Sequence, residues 1–124
     1  YIELKSYRED TTQPIRLAQS QAKRAAKNDA PFALCVIGRN RPAEDVDAEY
    51  VREHLGYVKD LQQEFLPVAE HILQLETMES AHNADVWLDV SALHGSKVIV
   101  RHEFIKPRRL SFDTLIQDII AAIQ

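Results

Sequence analysis

The apolar positions of this chain change their period several times, and each change marks an expected element. Ile2 and Leu4 alternate with Glu3 and Lys5, so residues 2–5 read as a strand with one apolar and one charged face. Arg8 to Gln13 is polar and reads as a turn. Pro14 suits the first residue of a helix. Ile15, Ala18, Ala22, Ala25 and Ala26 then recur at helical spacing until Asn28-Asp29. The run from Pro31 to Ile37 is wholly apolar, the mark of a strand covered on both faces. Strand, crossover helix and buried strand compose a parallel βαβ unit.

Beyond the Gly38-Arg-Asn-Arg-Pro-Ala loop, Asp45 or Asp47 can cap a helix that runs to about His54. Gly56 interrupts it, and residues 57–64 fit no single period. Leu66, Ala69, Ile72, Leu73 and Leu75 form a second amphipathic helix from Phe65 to Met78, with Pro67 tolerated in its first turn. Asp85 to Ser91 and Lys97 to Phe104 read as an antiparallel hairpin around His94-Gly95-Ser96. Finally, Ser111 caps a helix whose Phe112, Leu115, Ile116, Ile119, Ile120 and Ile123 fall on one stripe. That stripe is expected to pack on the sheet or on another subunit. The expected fold is α/β: a small mixed sheet with an N-terminal parallel βαβ unit, a later antiparallel hairpin and flanking helices.

Composition narrows this picture without changing it. With 124 residues, 45% of them hydrophobic, the chain suffices for one α/β domain over 1–124. Three glycines, five prolines and 7% aromatic residues argue against a sandwich or barrel. The longest apolar run cannot cross about 30 Å of hydrocarbon, and no signal-peptide pattern is present, so a soluble cytoplasmic domain with no membrane partner is expected. Cys35 stands alone, which excludes an internal disulfide and a multi-cysteine zinc site. A strand pattern that opens on Tyr1, without a lead-in, reads as the C-terminal fragment of a longer chain.

Charge adds an asymmetry to the net −4. Residues 1–41 carry +4, residues 42–90 carry −10 and residues 91–124 carry +2. Such partition permits a phosphate-facing surface on an acidic protein, although a solvated charge mosaic produces the same count.

The sharpest candidate for chemistry is Glu3-x-Lys5. Positions i and i+2 of a strand share a face, so carboxylate and ammonium point the same way, on the side opposite Ile2 and Leu4. Phosphodiester hydrolysis uses such a pairing: the carboxylate can hold Mg²⁺, and the lysine can orient water and offset transition-state charge. A simple ion pair on a strand has the same sequence. On the following helix, Arg16, Lys23 and Lys27 fall within about 40° of one another at 3.6 residues per turn, a ridge able to track a phosphate backbone or merely to face water. Gln19 borders that ridge, and Gln21 lies on the opposite border.

The Glu-Leu-Lys strand, the helix with Gln21-Ala-Lys-Arg-Ala25 and the buried strand after it resemble the second half of the PD-(D/E)xK nuclease core, the restriction-endonuclease-like superfamily. The resemblance covers residues 1–38. It implies Glu3 as a metal ligand for Mg²⁺, Lys5 as the catalytic lysine and Gln21 as the helix glutamine, with DNA as substrate. The family's first metal ligand, an Asp on a preceding strand, has no counterpart here, so the rest of the parent chain would supply it. Motif spacing favours Gln21 and the basic ridge favours Gln19; both stay open. The implied function is a metal-dependent nuclease domain of a larger DNA-processing or restriction/defence protein. The other possibility is a non-catalytic interaction or dimerisation domain, with a second copy of the chain as one partner (a homodimer), and a nuclease-like core. The five histidines lack ligand spacing, Cys35 reads as a small buried hydrophobe, and no phosphate-loop or dinucleotide fingerprint occurs.

Overall fold

The computed structural model describes residues 1–27, 31–80 and 95–124. The elements are β1 (Ile2–Arg8), β2 (Ile15–Leu17), α1 (Gln19–Ala25), β3 (Ala33–Arg39), α2 (Ala48–His54), β4 (Leu55–Val58), α3 (Gln62–Ser80), β5 (Val98–Val100), α4 (His102–Ile105), β6 (Leu110–Ser111) and α5 (Phe112–Ile123). The mixed α/β class expected from the sequence is therefore the class observed. The chain forms two compact units, Tyr1–Ile15 with Pro31–Asp60 and Val100–Gln124, and Arg16–Ala30 with Leu61–Ile99.

The first unit holds a four-stranded sheet in the order β1-β3-β4-β6. β1 and β3 run parallel in register from Ile2↔Ala33 to Arg8↔Arg39, while β3–β4 and β4–β6 are antiparallel. Leu34 to Gly38 are buried, as an apolar run inside a sheet requires. On one sheet face, Cys35, Tyr57 and Leu115 form a core cluster, and Ala33, Leu55, Leu110 and Ile119 pack partly against it. The C-terminal helix thus docks on the sheet. Ser111 is its cap: Oγ accepts from the backbone N–H of Thr114 at 3.2 Å. Asp47 caps α2 in the same way, accepting from Tyr50 N at 2.8 Å. The hydroxyl of buried Tyr57 donates to Asp118 of α5, whose carboxylate also receives Lys59 Nζ at 2.9 Å. Gly56 is required in β4 because the side chain of Arg109 occupies the space a Cβ would need.

In the second unit, the small buried Ala22 and Ala25 let α1 approach α3, which contributes buried Phe65 in its first turn and Ile72 two turns later, with buried Leu61 just before it. Lys23 Nζ pairs with Glu76 Oε1 at 2.7 Å across those helices. β2 and β5 pair as a separate two-stranded sheet.

Several expectations need correction. Ile15–Leu17 is a strand, because buried Ile15 and Leu17 alternate with exposed Arg16 and pair with β5 instead of joining the helix. The helix α3 begins at Gln62, so Pro67 sits inside it, beyond the first turn, and Gln63 loses the N–H its carbonyl would accept. The expected strand Lys97–Phe104 is strand only over Val98–Val100; α4 and a 3₁₀ turn at Lys106–Arg108 follow, the latter with Pro107 near its start. The other arm of the expected hairpin, Asp85–Ser91, lies outside the described residues. Of the ambiguous stretch 57–64, Tyr57 and Val58 end the short interior strand β4, which includes Gly56, and Gln62 to Glu64 open α3. No described helix is long and apolar enough to cross a membrane.

Candidate active site

Strand β1 brings Glu3 and Lys5 together. Their Oε1 and Nζ atoms lie 3.7 Å apart, with side chains 15% and 28% exposed respectively. The spacing is longer than a hydrogen bond, so the pair is loose. The Tyr1 hydroxyl donates to the other Glu3 oxygen, Oε2, at 2.8 Å. Removal of much of the solvent from both groups strengthens their field on anything placed beside them.

The orientation of β1 reverses the expected one. Ile2 and Leu4 are 50% and 57% exposed, and the charged positions occupy the more covered face. The cause lies in the register: positions paired in parallel strands share a face, so Glu3 and Lys5 stand beside the fully buried Leu34 and Val36. Two charged groups flanked by buried aliphatic side chains constitute a more constrained site than a solvated charged stripe. Those neighbours carry no metal-binding atoms. Among the described residues no three His, Cys, Asp or Glu side chains converge as a metal site. Glu3 and its described neighbours therefore do not by themselves fit Mg²⁺, which needs further oxygen ligands.

The residues implied on the helix belong to the second unit. Gln21 closes the start of α1, its Oε1 accepting from the Ala18 backbone N–H at 2.8 Å. Gln19 Nε2 donates to the Ser96 carbonyl at 3.3 Å. Lys23 is paired with Glu76, and the Lys27 carbonyl accepts from Gln62 Nε2 at 3.2 Å. The basic ridge is not a helical feature: Arg16 is in β2, and Lys27 lies beyond the last helical residue, Ala25. Its angular alignment holds only for one continuous helix, and the strand at residues 15–17 breaks that condition.

A second constellation was not singled out from the sequence. Arg8, Glu9, Asp10, Arg39, Asn40, Arg41 and Pro42 line a cleft of about 680 Å³ at the carboxyl ends of β1 and β3. The signal was present as Gly38-Arg39-Asn40-Arg41-Pro42 directly after a buried strand, but only the Arg8↔Arg39 register joins it to β1.

Cys35 is buried in β3, and burial pushes its thiol up to about 11, the opposite of an activated nucleophile. No family model, curated protein or solved structure matches the chain.

Proposed function

We propose that the chain is part of a metal-dependent nuclease of the PD-(D/E)xK type, with DNA as substrate, working in the cytoplasm within a larger DNA-processing or restriction/defence protein. The observation that carries this reading is the placement of Glu3 and Lys5 on the covered face of β1. That strand runs parallel to buried β3, after an intervening segment that contains α1. A lysine held there with reduced hydration can offset charge developing on a phosphoryl group. Mg²⁺ belongs to the proposal as the ion for which Glu3 would be one ligand. The remaining ligands must come from groups other than its described neighbours, so no step is derived through the metal.

The test is Mg²⁺-dependent cleavage of double-stranded DNA, measured with these 124 residues and with the full-length polypeptide that carries them. The full-length protein is expected to cleave, and the 124 residues alone to cleave little or not at all. A full-length protein without activity on any DNA form would overturn the proposal.

One pair of observations favours a second function, a non-catalytic interaction or dimerisation domain. The Glu3 carboxylate is already engaged by Tyr1 and Lys5. In addition, Ile116, Ile120 and Ile123 of α5 are 39%, 48% and 78% exposed, an apolar face available to another chain. Sedimentation over about a hundredfold range of concentration tests this second function: mass that rises with concentration supports a dimerisation domain, and constant mass removes dimerisation from it.

A further inference from the structure

We infer that the cleft at the carboxyl ends of β1 and β3 binds a phosphoryl group, as carried by pyrophosphate or a nucleoside diphosphate. This inference does not rest on the nuclease reading: Arg8 and Arg39 lie on the sheet face opposite Glu3 and Lys5, because their positions differ by an odd number of residues along each strand.

The location is the first argument. Crevices outside the carboxyl ends of parallel strands are where open α/β sheets bind ligands, since the loops there carry the side chains that converge on the crevice. Here those side chains are Arg8, Arg39 and Arg41, set against Glu9 and Asp10. Asp10 is already committed, accepting from Arg8 Nη2 at 2.8 Å. The arginines therefore keep an excess of positive charge, in the forked geometry that suits phosphate oxygens.

The second argument is preorganisation. Tyr50 is buried, and its hydroxyl donates to the Gly38 carbonyl at 2.6 Å while accepting from the Asn40 backbone N–H at 3.1 Å. That clamps the loop after β3. The Arg41 guanidinium stacks 4.4 Å from the centre of the Tyr50 ring, and its Nε donates to Asn40 Oδ1 at 3.2 Å. Both contacts fix the plane of the fork before any ligand arrives, so less rotamer freedom is lost on binding.

The third argument is an unused donor. The Nε of Arg39 is buried and has no hydrogen-bond partner among the described residues. A buried donor without an acceptor is costly, and a turn of the half-buried Arg39 side chain toward an oxyanion in the adjoining cleft would relieve it. The opposite charge class finds no such support, since no described cluster of ligands suits a metal ion.

The experiment is a titration of the protein with sodium pyrophosphate at constant ionic strength, followed by backbone amide shifts of Arg8–Asp10 and Arg39–Arg41. Saturable shifts confined to these residues are expected, and Arg39→Gln and Arg41→Gln should each weaken binding at least about tenfold. Arg24→Gln, on α1, should bind as the parent does. Arg41 is exposed, so if Arg39→Gln fails to fold, Arg41→Gln decides alone. Parallel titrations with ADP and UDP identify the source: tighter binding of one nucleotide assigns the site to nucleotides, and equal binding of all three assigns it to the diphosphate alone. Shifts still linear at about 10 mM, or unchanged affinity in Arg41→Gln, would overturn the inference.

Discussion

β1 and β3 are parallel neighbours of seven residues each, yet they do different work. β3 is buried from Leu34 to Gly38, and its residues form the centre of the sheet. β1 lies at the edge, shows Ile2 and Leu4 to solvent, and turns Glu3 and Lys5 toward the covered side. An arrangement in which the polar groups are the partly buried ones stabilises a fold poorly. It makes sense where those groups act on something. The comparison assigns stability to β3, and β1 is the strand to which the proposed chemistry belongs.

Truncation on β3 should have the largest effect. Leu34→Ala removes a side chain with no exposure and is expected to cost about 2–5 kcal/mol in denaturant unfolding. A cost below about 1 kcal/mol would show that β3 is not the structural strand.

Next comes the helix that packs on the β3 side of the sheet. Ile119 is only half-buried beside the Cys35–Tyr57–Leu115 cluster, so Ile119→Ala should cost about 1–2 kcal/mol. Because the contact is intramolecular, the midpoint should be the same at protein concentrations about a hundredfold apart. A midpoint rising with concentration would move Ile119 to a subunit interface.

Cys35 gives a pH test of the same strand. Burial raises its thiol from 9.0 to about 11. The folded state therefore holds the proton more tightly than the unfolded one, and this contribution is complete below pH 9 and lost as pH rises toward 11. Over that interval the parent should lose more stability than Cys35→Ala, which has no thiol. Parallel pH profiles would remove the thiol from the account.

The smallest effect belongs to β1. Leu4→Ser alters a side chain that is 57% exposed and should shift unfolding by no more than about 0.5 kcal/mol. A loss comparable to that of Leu34→Ala would erase the contrast between the strands.

The periods legible in the sequence were those set by local burial. The apolar run before Gly38 announced β3, and the Ser111 cap with its stripe announced α5, because cap and stripe are read within one element. The class of the fold followed from the order of these segments. Elements defined by long-range pairing were not legible. β2 exists because Ile15 and Leu17 meet a strand more than eighty residues away in sequence, and alanine-rich helical spacing hid it. β4 is four residues long and contains a glycine, too little for a period. Glu3 and Lys5 were legible as sharing a face, but which face was covered depended on pairing with Leu34 and Val36. The arginine cleft was illegible for the same reason: Arg8 and Arg39 are thirty-one positions apart and become neighbours only through parallel register.

The central claim, that β1 carries chemistry, is tested most directly by Lys5→Ala in the full-length protein, with turnover and DNA affinity measured separately. Lys5 is mostly covered and pairs with Glu3, so its loss is expected to lower stability, and turnover is compared under conditions where both proteins are folded. If the ammonium acts on charge developing in the transition state, turnover falls at least about tenfold while DNA binding is mostly retained. Equal turnover for the variant and its parent would contradict the account.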